Sequence, residues 1–270
     1  MHPVSVVIDT FWPRADVGAP LAGGFDRVRR RFVDPLLGAH PTLQAWFELQ
    51  PAQPMDVPGE SSWQRLGALV SSLEATYCSV EVRGDSRSAG YFHFGVRLAH
   101  ELVRDVPHTV TMHAHPTLFS RVPGYDLTHE VEQLTKALAV STRASTGYVA
   151  CHHSLARDPD EQRGGDASST ERDLRTQLRG CYWGNLLSIG HLEALGGREQ
   201  VLATCPATVL DDLSRDEHEL VYAGLRGRPC DEHGYALIEL ERFFEQLLVR
   251  PADDDDDGRQ PALVLDRSLD

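Results

Sequence analysis

The sequence predicts an α+β fold with mixed, largely antiparallel sheets and packed helices. Short strand-like and helix-like segments alternate without the regular βαβ rhythm of a parallel sheet. Two pairs of apolar segments are joined by turns typical of hairpins, and a hydrophobic content of 41% is enough for a sizeable core. We expect one globular domain over residues 1–252, in which similar element order suggests two related halves, 1–155 and 170–252.

The N-terminal elements follow from local patterns. A β-branched strand is expected at 4–11, then a Pro- and Gly-rich loop at 13–24. Apolar residues at helical spacing predict an amphipathic helix from Phe25 that ends near Gly38. The remaining elements are a strand at 43–49, a helix capped by Ser61 or Ser62, a hairpin of 77–83 with 91–97, and a strand at 108–115.

The C-terminal elements follow in the same way. Ser188 is expected to cap a short helix over 189–195, which Gly196 and Gly197 terminate. The other predicted elements are a helix over 127–138, a strand at 147–153, a polar loop at 155–169, a helix at 171–178, a hairpin of 209–213 with 219–225, and a final helix over 235–249.

Charge and hydropathy exclude several classes of protein. The chain has 40 acidic and 26 basic residues, a net charge of −14, which argues against nonspecific nucleic-acid binding. No apolar run is long enough to cross a bilayer, and the N-terminus does not read as a secretory signal. We therefore expect a cytoplasmic protein. The tail at 253–270, which begins with five consecutive aspartates, is expected to be a disordered acidic extension.

Motifs for catalysis are missing from the sequence. It contains no Gly-x-Ser-x-Gly, no P-loop and no Gly-x-Gly-x-x-Gly, so we expect neither an enzyme nor a cofactor. Five widely spaced cysteines without a Cys-x-x-Cys motif make a disulfide framework unexpected. Cys151 is interpreted as a buried packing residue, because its neighbour His152 leaves the opposite face of a strand and is not placed to act as its base.

Two histidines provide the alternative hypothesis, a metal-dependent hydrolase. His113 and His115 lie two residues apart on a predicted strand, so their side chains leave the same face. Histidines from neighbouring strands, at 93, 108, 152 and 153, supply further potential ligands. The usual metallohydrolase continuations do not follow His115, and we expect no metal.

The densest acidic cluster of the folded part straddles the turn of the second predicted hairpin. Its members are Asp211, Asp212, Asp216, Glu217 and Glu219. Such clusters are often solvated turns. The alternative is a docking edge for a basic protein surface, where complementary charge accelerates encounter.

Residues 180–197 carry a resemblance to a known family. The segment GCYWGNLLSIGHLEALGG contains Trp183 and Gly184 before a Leu-rich turn and a short helix, and it ends in Leu195, Gly196 and Gly197. This pattern resembles bacterial type VI immunity-family proteins and is similar to the related immunity-52 family of polymorphic toxin systems. Trp183 either lines a ligand pocket or anchors the core, and Gly184 favours the second interpretation because it allows close backbone approach.

The resemblance implies an antitoxin. Family members neutralise a cognate secreted effector inside the cell by direct binding, and their signature residues are structural. For this chain the expectation is an acidic binding protein that covers the active surface of an effector with a basic surface, without nucleic acid or membrane as partner. A regulatory binding module without a toxin partner is a third hypothesis.

Overall fold

The computed structural model describes residues 2–50, 60–72, 75–84, 91–99, 106–151, 173–231 and 234–248. The strands in this part are β1 (Val4–Thr10), β2 (Gln44–Gln50), β3 (Tyr77–Arg83), β4 (Phe92–Arg97), β5 (His108–Ala114), β6 (Thr146–Cys151), β7 (Gly184–Ser188), β8 (Val209–Asp212) and β9 (Leu220–Gly224). The helices are α1 (Arg14–Val28), α2 (Asp34–Ala39), α3 (Glu60–Ser71), α4 (Pro116–Phe119), α5 (Leu127–Ser141), α6 (Ile189–Ala194), α7 (Arg198–Thr204) and α8 (Gly234–Phe243).

These strands form one antiparallel sheet. Their order is β2-β3-β4-β5-β1-β6-β7-β9-β8, so β2 and β8 lie at its two edges. β1 is central and pairs with β5 on one side and with β6 on the other. The α+β class and both hairpins are confirmed. The acidic tail at 253–270 and the polar loop at 155–169 lie outside the described residues.

The two faces of the sheet differ in the N-terminal strands. On one face Ile8, Phe94 and Val80 are fully buried beneath α1, α3 and α5, and Phe25 of α1 meets Phe94 edge to face at 4.9 Å. The other face carries a polar cross-strand row, which we call the open face; the row is Trp46, Glu81, His93, His113 and Ser5. Antiparallel sheets commonly leave one face to solvent in this way.

Two element predictions are wrong. α1 begins at Arg14, inside the predicted loop, because Val17 and Leu21 bury completely one turn apart and this burial outweighs Pro20 and the glycines. The predicted helix at 171–178 is, in its described part 173–178, a turn followed by a parallel bridge between Leu178 and Leu248.

The ends of two further helices differ from prediction. α3 begins at Glu60, so Ser61 and Ser62 lie in its first turn and not at the N-cap. The final helix ends at Phe243 and continues as a 3₁₀ turn over Glu245–Leu247. The predicted cap of α6 is confirmed: the Ser188 N–H donates to Nδ1 of His191 at 3.2 Å. The predicted stop is confirmed too, since Gly196 and Gly197 have φ of 93° and 100°.

Candidate partner-binding site

A cleft of about 770 Å³ opens at one end of the sheet. Its walls come from the start of β1, from α4 and the first turns of α5, and from the segment 225–231 that follows β9. Trp183, which precedes β7, and Val209, which begins β8, complete it. Because antiparallel neighbours place the start of one strand beside the end of the next, residues far apart in sequence converge here.

The floor of the cleft is apolar. Trp183 is 4% exposed, and Leu225 and Phe119 are buried beside the cleft as well. The Leu225 N–H donates to the Trp183 carbonyl at 2.8 Å, which extends the β7–β9 pairing by one bond and fixes both residues. The indole Nε1 of Trp183 is buried without a hydrogen-bond partner among the described residues. The site thus combines an apolar floor with a donor that lacks an acceptor.

Aromatic and helical groups build the second wall. Phe119 and Tyr125 stack with ring centroids 5.0 Å apart. The Tyr125 hydroxyl donates to the Arg31 carbonyl at 2.6 Å, and burial raises its pKa well above the usual range, so this group stays a neutral donor. The carboxylate of Asp126 accepts the His129 N–H at 3.1 Å and caps α5.

The acidic cluster lies on the β8–β9 hairpin at the sheet edge, and its turn is at the opposite end of these strands from Val209 and the cleft. Asp211 pairs with Lys136, the only lysine of the chain, which also pairs with Glu132 of the cleft wall. Lys136 lies over the Tyr222 ring, 4.6 Å from its centroid. Asp211 therefore serves an internal network that joins the hairpin to the cleft.

The other acids of the cluster differ in accessibility. The carboxylate of Asp212 accepts the Ser214 N–H at 3.0 Å and lies 3.9 Å from Arg198; the bonds to Ser214 lower its pKa. Asp216 and Glu217 are exposed at the turn, whereas Glu219 is half-buried. The accessible charge of the cluster is thus concentrated at its turn.

The remaining residues of the family signature either pack in the interior or form a turn. A Cβ on Gly184 would collide with the Tyr222 hydroxyl, so the residue allows the β7–β9 strands to accommodate that side chain. Leu195 follows α6 and is buried. Gly196 and Gly197 reverse the chain into α7, with the Gly197 N–H on the Leu192 carbonyl at 2.7 Å.

The histidines of the alternative hypothesis do not converge. The His113 Nδ1 hydrogen-bonds Ser5 Oγ at 2.9 Å, and its ring stacks on His93 at 5.8 Å. His115 lies beyond the strand, and its Nδ1 hydrogen-bonds Thr117 Oγ1 at 2.7 Å. His108 belongs to the buried opposite face, where its Nδ1 accepts the Ala99 N–H.

No group of three or more His, Cys, Asp or Glu side chains in the described part of the chain is placed to hold a metal ion. The hydrolase alternative is therefore not supported. His152 and His153 lie outside the described residues.

A disulfide overturns one interpretation of the cysteines. Cys151, at the end of β6, is bonded to Cys230, 79 residues later, and is not a free packing residue. Cys230 belongs to the segment that forms one cleft wall, so the bond ties that wall to the sheet.

Several groups of this site could not be singled out from the sequence. Tyr125, Arg226 and Phe119 fit no motif and meet only in three dimensions. Trp183 was the one available signal, since a tryptophan between a strand-like stretch and a capped helix suggested a pocket as one of its two roles.

Comparisons with known proteins show a shared fold. No family model and no curated protein matches the sequence. Among solved structures the chain is similar to the Pseudomonas aeruginosa T6SS protein PA0821, with a TM-score of 0.60 and 14% identity over 92% of this chain and 73% of that one. Within the described residues no helix is both long and apolar enough to span a membrane. The architecture described above is thus one that a T6SS protein also adopts.

Proposed function

We propose that this chain is an immunity protein that binds a cognate secreted effector toxin and neutralises it by covering its active surface. The observation that carries the proposal is the fold likeness to a T6SS protein over 92% of the chain. The resemblance of residues 180–197 to type VI immunity and immunity-52 proteins points in the same direction. The proposed activity is stoichiometric binding, without catalysis or cofactor.

The proposed contact surface comprises the cleft, and the turn of the β8–β9 hairpin, at the opposite end of these two strands, is a second proposed contact. An apolar floor flanked by charged groups has the anatomy of an interface centre with its polar border. Asp216 and Glu217 are exposed acids at that turn, which suits a basic surface on the effector and would accelerate encounter.

Cytoplasmic action is part of the proposal. The disulfide between Cys151 and Cys230 argues against this part of the proposal, because such a bond persists in an oxidising compartment and is rare in a reducing one. Trapping of free thiols in intact cells tests this point: reduced Cys151 and Cys230 are the cytoplasmic result, and a quantitatively oxidised pair would contradict it.

The experiment is co-expression with the effector encoded beside this gene, with growth as the readout. Cells that make the effector alone should stop growing, and this chain should restore growth and co-purify with the effector at equal stoichiometry. Failure of a well-expressed, folded chain to restore growth would overturn the proposal.

A matched pair of variants tests the acidic turn. Asp216→Asn with Glu217→Gln should slow association with the effector at low salt by about tenfold, since steering by exposed charge acts on the on-rate. The control, Asp16→Asn with Glu48→Gln, removes the same charge from exposed acids of α1 and of β2 at the opposite sheet edge, and should leave the rate unchanged. An equal effect of both pairs would remove the turn from the contact surface.

A further inference from the structure

Two hydrogen-bond donors of the cleft have no partner among the described residues. Trp183 lines the cleft, and its buried indole N–H has no acceptor among the described residues. Arg226 is exposed at the margin, and no described residue forms an ion pair with its guanidinium. A buried donor without a partner costs free energy, which a ligand that supplies an acceptor recovers. The donor set is that of a site for an anionic group.

The acids that line the cleft are already bound within the protein. Glu132 pairs with Lys136, and Asp126 caps α5 through the His129 N–H. Asp231 accepts the Arg228 N–H at 2.9 Å. The first turn of α5, a helix of 15 residues, also faces the cleft and adds the positive end of its dipole. Each of these acids thus has a partner within the protein, whereas the Arg226 guanidinium has no ion-pair partner among the described residues.

The size and surface of the cleft indicate what carries the anionic group. At about 770 Å³ it falls in the range of ligand sites, and Val4, Phe119, Trp183 and Leu225 give it an apolar floor. A free inorganic anion would leave that floor in contact with water. An apolar segment that bears a carboxylate satisfies the floor and the donors together.

We infer that the cleft receives a peptide segment of the effector in which a carboxylate is flanked by apolar side chains. The carboxylate accepts from the Trp183 Nε1–H and from the Arg226 guanidinium, and the neighbouring side chains pack on Phe119 and Leu225. This inference rests on the proposed function, because the immunity proposal supplies the protein partner that carries the segment.

The test uses blocked tripeptides as probes and the indole N–H resonances as readout. Trp183→Phe identifies the Trp183 signal among the four tryptophans. Acetyl-Leu-Asp-Leu-amide should shift this signal saturably, and the matching Asn peptide should bind about tenfold more weakly, because a carboxylate accepts stronger, charge-assisted hydrogen bonds. Equal binding of the two peptides, or no shift with either, would overturn the inference.

Two controls sharpen the result. Arg226→Gln should weaken the Asp peptide about tenfold, while Arg97→Gln, at another exposed arginine on β4, should not change its affinity. Acetate serves as a probe without apolar side chains and should bind far more weakly than the peptide. Acetate that binds as tightly as the peptide would contradict a peptide site.

Binding to the effector separates this inference from the immunity proposal. Trp183→Phe and Arg226→Gln should each weaken the complex about tenfold, and the surface variant Arg226→Gln should keep the thermal stability of the parent. A complex that is unaffected by both variants would refute the cleft inference and leave immunity standing. Absence of any complex, together with selective peptide binding, would refute immunity and retain the cleft as a peptide site.

Discussion

The strands at the two ends of the sheet differ in how completely their residues are buried. At the N-terminal end, β2 alternates between exposed or half-buried and buried residues, and its helices cover one face only. At the C-terminal end every residue of β7 and β9 is buried, because α6, α8 and the segment before β7 pack beside the strands. The polar row of the open face runs from the half-exposed Trp46 to the buried Ser5, whereas the cleft forms where covered strands end. Histidines in such a polar row are thus poor indicators of function, while a tryptophan at the end of a covered strand is a better one.

The comparison predicts that buried polar groups near the covered end are sensitive to substitution. Asp9 is completely buried and pairs with Arg179, which precedes β7, at 3.3 Å; Thr109 Oγ1 donates to it at 2.8 Å. Arg179→Met should lower the free energy of unfolding by about 3–5 kcal/mol, since a buried charge loses its partner. The control Arg30→Met breaks an exposed pair with Asp26 and should cost less than about 1 kcal/mol. Similar costs in urea unfolding would contradict the contrast.

The pH dependence of stability tests the same C-terminal end of the sheet. Burial lowers the pKa of His191 from 6.5 to about 4, and its Nδ1 accepts the Ser188 N–H as the neutral form requires. Below pH 6.5 the unfolded chain binds a proton that the folded chain refuses, so stability falls as pH drops toward 4. His191 should contribute about 3 kcal/mol to this loss.

His191→Gln provides the comparison for this prediction. The variant should be less stable at neutral pH and should show a shallower decrease between pH 6.5 and 4. Parallel pH profiles of the two proteins in urea unfolding would show that His191 is not the group responsible.

A substitution where the two ends of the sheet meet should have a somewhat smaller effect on the stability of the protein. Gly147 lies on β6 where it pairs with β1, and an added Cβ would meet the Val7 carbonyl oxygen at 2.6 Å and a Leu186 methyl at 2.8 Å. Gly147→Ala should therefore destabilise the protein by about 2 kcal/mol. Gly23→Ala in α1, where nothing lies within 4 Å of the new methyl, should be neutral or stabilise by up to about 1 kcal/mol. Thermal melts that rank the two variants in the opposite order would refute this reading of the junction.

The open face should be the most tolerant region. His113→Gln removes a partly buried hydrogen bond to Ser5, so the expected cost is about 1 kcal/mol or less. The variant should also bind the effector like the parent protein, because the open face lies outside the proposed contact surface. A loss of effector binding by calorimetry would move the contact surface to this face.

The contrast also explains what the sequence made predictable. The bounds of β1 were predicted closely because most of its residues are β-branched and apolar, as in a fully buried strand. The bounds of the 77–97 hairpin and of α5 follow from local sequence patterns. The part of α1 before Phe25 was not predicted, because Pro20 and the neighbouring glycines are typical of a loop. The helix forms there nonetheless because Val17 and Leu21 are buried.

The site was less predictable than the fold. The bond of Cys151 to Cys230 spans 79 residues, and no local pattern specifies such a pairing. The acids of the hairpin could be counted in the sequence, but not the use of Asp211 by Lys136. Only the folded chain brings Trp183, Tyr125 and Arg226 to one cleft.

The most direct test of the immunity proposal is calorimetric titration of this purified chain with the purified product of the neighbouring open reading frame. The two proteins should bind saturably at one to one, the binding should weaken as salt rises, and Arg226→Gln should weaken it further. Two folded proteins that release no heat on mixing and remain separate in gel filtration would contradict it.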